Sequence, residues 1–321
     1  MVGRVTGMGA QPYNRRHMLT SMRPRPLVLL VLASFGFGAG NIITKAILNL
    51  GVSPMTVIPG RYFVGTAVLL TALAATGRLQ MPGRDAWRQG LILGAVNMAA
   101  PTILSTIGLV YIPASVTAML VALIPLSTIV AAHFIVDDEP LQAFLLPGFL
   151  IALVGCVFLV QGDSTTGDNT RLGLVLVLGG IVAASVGGAL SRRFALGTPA
   201  VRLILPQFVG AGIIALATAT PAGGLNGLGE LGATEWGLLI MSGVVATAMP
   251  FGAILWLSEL ASAAKTSLVA YLVPLVGVTG SVVLLGERLT PASVIGGALI
   301  LLGVVVAERA ERRRSLPIAT V

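Results

Sequence analysis

The run ASVTAMLVALIPL at residues 114–126, followed by DEPLQAFLLPGFLIALVG at 138–155, comes back near the other end of the chain. There it reads AAKTSLVAYLVPL at 263–275 and GERLTPASVIGGALILLG at 286–303. Ala114 and Pro125 match Ala263 and Pro274 at an offset of 149. Glu139, Leu141, Gly148 and Gly155 match Glu287, Leu289, Gly296 and Gly303 at 148, a slip of one residue in the intervening loop. A unit duplicated inside a very apolar chain implies a membrane architecture built from two halves.

Composition agrees. Hydrophobic residues make up 55% of the 321 and charged residues 10%, with a mean hydropathy of +0.95. A soluble domain carries about 25% charged residues, so this chain expects lipid as its solvent. At about 20 apolar residues per span there is room for about ten helices. Apolar runs and their punctuation predict them over 27–48, 54–76, 90–111, 114–136, 141–161, 172–191, 200–220, 235–257, 262–285 and 290–307. Residues 1–26 and 308–321 read as basic tails, the first followed by a retained helix rather than a cleaved leader. The single Cys156 excludes an intramolecular disulfide and a cysteine metal cluster.

Charge orients the spans. With the N-terminus inside, 16 of the 20 Lys and Arg residues fall on the cytoplasmic side and only Arg171 and Arg288 on the other. Lys45 and Arg61 lie within spans. The net charge of +8 is thus distributed as membrane topology requires, with no nucleic-acid partner implied. Both termini are expected in the cytoplasm. Five helices per half is an odd number, so the second half enters the membrane inverted. The expected fold is all-α, ten transmembrane helices in two inverted repeats over 27–161 and 172–307. The duplication extends beyond the opening block: Pro54, Phe63, Val64 and Gly65 match Pro199, Phe208, Val209 and Gly210 at 145, and Pro101 matches Pro250. Trp87, Trp236 and Trp256 fall at expected water–lipid boundaries.

FGFGAGNIITKAIL at 35–48, then Ser53-Pro54, then GRYFVGTAVLL at 60–70, resembles the opening of EamA-type members of the drug/metabolite transporter superfamily. The L-x-P-L and G-E-R-L pieces of the repeated block look like the same family's segments. The resemblance covers residues 27–307. It implies ten helices in an inverted repeat and transport, often export, of small metabolites such as amino acids through a central cavity. The halves depart from one another where Asp-Glu-Pro (138–140) replaces Gly-Glu-Arg (286–288) and Pro206 replaces Arg61.

Polar residues inside spans each need a reason, since an ionisable side chain there costs at least about 2.5–3.5 kcal/mol. Lys45 lies about 7.5 Å from the outer end of its helix by the rise per residue. It can snorkel, helped by the negative end of that helix, or meet substrate. Arg61 lies about 10 Å deep, and no acid occurs in a span on that side. Its partner is a carbonyl at the end of the first helix, a lipid phosphate or an anionic substrate group. Asn41, Asn97, Gln207 and Tyr271 sit at mid-depth, as interhelical hydrogen-bonders or cavity lining. Pro101, Pro125, Pro250 and Pro274 form two matched pairs of expected kinks, suited to helices that line a site and flex.

Enzymatic and nucleotide-driven chemistry finds no support. His133 and Asp137 stand beside an acidic loop, but His17 is the only other histidine. H-E-x-x-H, G-x-S-x-G and P-loop patterns are lacking. No metal or cofactor is expected, and no oligomeric state is indicated. The expectation is a gradient-driven or facilitative carrier of a small molecule in the cell (inner or plasma) membrane. A membrane scaffold or sensor, or an intramembrane enzyme, stands as the alternative.

Overall fold

The structure, a computed structural model, describes residues 24–137, 139, 142–162, 168–261, 266 and 268–314, and no strand occurs among them. Helix α1 spans Pro24–Asn49, α2 Pro54–Ala75 and α3 Arg84–Tyr111. α4 (Ala114–Val121) and α5 (Ile124–Ile135) follow, then α6 (Leu146–Gly162) and α7 (Asp168–Ala195). α8 covers Ala200–Ala219, α9 Ala233–Leu260, α10 Val269–Leu285 and α11 Pro291–Arg314. Seven of these are long and apolar enough to cross a membrane. The α4–α5 pair makes an eighth if taken as one span, and α6 and α10 are shorter apolar helices. Expectations for residues 1–23 and 315–321, for Lys265 and for the first turn of the predicted 262–285 helix lie largely outside the described residues.

Several boundaries differ from the sequence expectation. α3 starts at Arg84, because Arg84, Asp85 and Arg88 form an amphipathic first turn that hydropathy counts as loop. Trp87 therefore lies on the helix rather than before it. α2 starts where expected: Ser53 caps it by accepting the Met55 amide at 3.2 Å, and Pro54 takes the first helical position.

The prolines act in three ways. Pro101 and Pro250 each stand two residues past the end of a stretch of π-helix, Gly94–Ala99 in α3 and Val244–Ala248 in α9. A proline cannot donate to the carbonyl four residues back and its ring crowds that carbonyl, so a widened turn lets the helix pass without ending. Pro125 stands instead beside a full break, where α4 and α5 meet at 44°. Pro274 stays inside α10, so no break accompanies it.

Glycines set the closest approaches. A Cβ on Gly148 would lie 2.6 Å from the Gly303 carbonyl oxygen, and one on Gly303 would lie 2.5 Å from that of Gly148. Gly155 and Gly296 oppose each other in the same way, at 2.6 and 2.7 Å. α6 and α11 are therefore antiparallel and in backbone contact, as small residues in apolar helices allow. The contact is self-complementary across the 148-residue offset, since the counterpart of Gly148 packs on the counterpart of Gly303.

The central apolar cluster joins α2, α3, α8 and α9 through Ile58, Tyr62, Met98, Ala99, Phe208, Ala248 and Leu255. Phe251 stands edge-on to both Phe208 (centroids 5.6 Å) and Phe37 of α1 (5.3 Å), pairs worth about 0.5–1.5 kcal/mol each beyond burial. Outward-facing positions are as apolar as the core: Leu150 and Leu153 of α6 are each 61% exposed. That pattern suits a lipid surround and no other solvent.

Candidate functional site

The two π stretches are the points to which the helices converge. In α9, Ala246 lies against Gly40 of α1, and Thr247 lies against Gly65 of α2. In α3, Asn97 lies against Gly187 of α7, and Gly94 against the Gln207 carbonyl and Gly210 of α8. Gly65 and Gly210, and likewise Gly243 and Gly94, are matched repeat positions that occupy equivalent contacts.

Arg61 binds the α9 stretch. Its Nη2 donates to the Ala246 carbonyl at 3.2 Å and to Thr247 Oγ1 at 3.1 Å, while Nε donates to the same hydroxyl at 3.1 Å. Thr247 in turn donates to the Ser242 carbonyl at 3.1 Å. Pro250, four residues after Ala246, has no N–H to donate to this carbonyl as a regular α-helix would, and the guanidinium donates to it instead of that N–H. The carbonyl that Arg61 meets belongs to α9 and not to the end of the first helix. Arg61 Nη1 makes no hydrogen bond among the described residues. In the other half the matched position is Pro206, which packs on Gly90 and can donate nothing.

Lys45 also finds a helix other than its own. Its Nζ donates to the Leu109 carbonyl at 2.5 Å and the Ile112 carbonyl at 3.2 Å, at the end of α3. Side chains on a helix lean toward its N-terminus, so Lys45 points away from the last carbonyls of α1 and snorkelling along that helix is not what it does. Across the Ile112-Pro113 junction, the Glu287 carboxylate accepts the Ala114 amide at 2.7 Å and the Ser115 amide at 2.8 Å. Glu287 was read from sequence only as a loop acid; its capping role was missed.

Asn41, Asn97, Gln207 and Tyr271 make no side-chain hydrogen bond among the described residues, whereas Ser34, Thr44, Thr128, Ser185 and Ser281 bond to carbonyls of their own helices. The enclosed side-chain atoms without a partner are Gln89 Oε1, Ser242 Oγ and Trp256 Nε1. The amides of Asn41, Asn97 and Gln207 are not among these and so border open space. Asn97 lies in the α3 π stretch against Gly187, the Gln207 carbonyl lies against Gly94 of the same stretch, and Asn41 follows Gly40 at the α9 stretch. Tyr271 stands apart, packed with Leu126, Leu145, Ala152 and Val304.

Two open clefts stand out among the described residues. One, of about 640 Å³, lies at the ends of α1, α2 and α9 around Arg25, Trp256 and the Arg78–Glu259 ion pair (2.6 Å). The other, of about 360 Å³, lies between α2 and α8 and is lined by Tyr62, Phe63, Phe208 and Ile213. None of the six polar residues singled out from sequence lines either one. Tyr62 closes the second from within, its hydroxyl held by Thr102 Oγ1 at 2.8 Å. Tyr62→Phe removes that bond at constant shape and should cost about 0.6 kcal/mol, at most about 1.7, read as a small fall in the thermal midpoint of the detergent-solubilised protein. Among the described residues no three His, Cys, Asp or Glu side chains group to hold a metal.

The profile of the EamA-like transporter family matches residues 25–161 and again 171–308. The chain belongs to the EamA-like transporter family. It is also 26% identical over 293 residues, 87% of this chain and 93% of the relative, to the uncharacterized transporter YyaM of Bacillus subtilis (strain 168). A solved crystal structure superposes with a TM-score of 0.61 at 19% identity, covering 92% of this chain and all of that one, a likeness of fold alone. As an EamA protein the chain is a multi-pass membrane transporter, and its family implies a small-molecule substrate in a bilayer setting.

Proposed function

We propose that this EamA protein is a secondary transporter that moves small metabolites, amino acids or related compounds, outward across the cell membrane by alternating access. Ten spans form two inverted five-helix halves, 27–161 and 172–307, with both termini cytoplasmic. The halves rock about a polar region between them. The observation that carries this reading is the matched pair of π stretches, each followed by a proline and each clasped by two neighbouring helices. Such irregular turns are placed where helices bend or line a cavity. The self-complementary α6–α11 contact and the charge bias support the inversion. Arg61, Lys45, Asn41, Asn97, Gln207 and Tyr271 stay as candidates for pathway contacts, with Arg61 Nη1 the donor best placed for a substrate anion. The prolines Pro101, Pro125, Pro250 and Pro274 serve as hinge candidates.

The test is flux. Purified protein in proteoliposomes, offered a panel of radiolabelled amino acids and related metabolites with and without a pH gradient, should show saturable transport of at least one compound. No saturable flux for any of them would favour a scaffold or sensor, and chemical conversion of a compound would favour an enzyme.

A further inference from the structure

We infer that Glu287 and Lys45 form a latch that holds the outer end of the bundle closed at the Ile112-Pro113 junction. The inference deepens the alternating-access reading and rests on it for the words outer and closed. Its geometry does not.

The G-E-R-L motif builds the latch. Gly286 ends α10 in the left-handed conformation (φ 67°), its amide donating back to the Ser281 carbonyl. A left-handed residue at this position reverses the chain with no Cβ penalty, which brings Glu287 over the first turn of α4. Two residues on, Leu289 packs against the cluster of Ile112, Val116 and Leu120 and anchors the loop. α4 needs an external cap. Its N-cap is Pro113, which has no side-chain acceptor for the first amides. The bidentate Glu287 carboxylate fills that role from 173 residues away. Charge-assisted bonds of this kind are about twice as strong as neutral ones.

Lys45 completes the arrangement from the opposite side. It holds the carbonyl end of α3 as Glu287 holds the amide end of α4, each charge matched in sign to its helix terminus. Three separate elements, α1, the α3–α4 junction and the α10–α11 loop, are thereby tied together. α4 is then a short lever of eight residues between this tie and the 44° break before α5. Releasing Glu287 leaves α4 uncapped and free to turn about that break. Within the latch both act as positioning residues.

The experiment needs no substrate. Ser115 is 1% exposed, and Ser115→Cys in a Cys156→Ala background places a near-isosteric thiol in the latched turn. Labelling by a membrane-impermeant maleimide is followed in right-side-out and inside-out vesicles. Glu287→Gln and Lys45→Met should each speed labelling from the outer face about tenfold, the shift expected for one lost charge-assisted bond. Glu287→Asp, which keeps the charge, should restore part of the protection. Equal labelling rates in the parent, Glu287→Gln and Lys45→Met, with all three monodisperse in detergent, would overturn the latch. Faster labelling only from the cytoplasmic face would keep the latch and overturn its outer assignment. Should Glu287→Gln fail to fold, Lys45→Met and Glu287→Asp carry the same comparison. Absence of flux in the metabolite panel would leave this result untouched, which separates the two readings.

Discussion

Arg61→Ala is expected to lower the thermal stability of the protein by about 2 kcal/mol, and Pro250→Ala is expected to return much of that loss. The first figure follows from leaving the Ala246 carbonyl without a donor inside the bundle, a cost of about 1–3 kcal/mol. Thr247 loses two bonds from the guanidinium but keeps its own bond to Ser242, so the carbonyl dominates. Pro250→Ala supplies an N–H four residues after Ala246, the donor that a regular helix would have had. In that background Arg61 has less to satisfy, and the double-mutant cycle should show coupling of about 1 kcal/mol. Arg61→Lys should fall between, because a compact ammonium cannot bridge the carbonyl and the hydroxyl as the planar fork does. Strictly additive losses would show that the clamp does not compensate for the proline. Flux read on the same variants divides the roles of Arg61. Recovery of stability without recovery of transport would assign its free Nη1 to the substrate, and recovery of both would make it a hinge clamp only.

This pairing also marks where sequence reasoning stopped. The apolar helices were legible because run length is summed over many residues, so no single error moves them. The prolines were read as bends, but whether one follows a π stretch, as Pro101 and Pro250 do, stands beside a break, as Pro125 does, or lies in an unbroken helix, as Pro274 does, depends on neighbours. Gly40 and Gly65 press against the α9 stretch, and nothing local to Val244–Ala248 records them. The partner of Arg61 was half-legible. Pro250 announces that the Ala246 carbonyl lacks its donor, yet which cation arrives from 185 residues away is a property of the packed bundle. Lys45 was read as snorkelling, helped by the end of its own helix, or as meeting substrate; the α3 carbonyls it donates to come from the packed bundle and were not considered. Glu287 was hidden by its setting, since a charge in a loop reads as solvated unless the helix it caps lacks a cap of its own. Pro113 before α4 was that signal.

A side chain added at Gly155 or Gly303 should be among the most damaging single changes. A Cβ at Gly155 would stand 2.6 Å from the Gly296 carbonyl oxygen and 2.8 Å from the Ile300 amide nitrogen. At Gly303 it would stand 2.5 Å from the Gly148 carbonyl oxygen and 2.7 Å from the Ala152 amide nitrogen. Neighbouring side chains can rotate away from an intruder, but backbone atoms move only with their helix. Gly155→Val and Gly303→Val must therefore push α6 and α11 apart along their length, and should reach or exceed the roughly 3 kcal/mol at the top of the usual overpacking range. Apolar burial offers little in return, because lipid is as apolar as the interface and close contact is what holds such helices together. Gly212→Val on α8 is the control, as nothing lies within 4 Å of its added Cβ. The expected outcome is loss of the monodisperse peak in detergent for the first two variants and its retention for the third. The two damaging variants should also be alike in severity, although they lie on different helices. Gly155 and Gly303 are counterparts at the 148-residue offset, so each presents the same face to the other half. Unequal losses, with one variant tolerated, would show that the α6–α11 contact does not work as a matched pair.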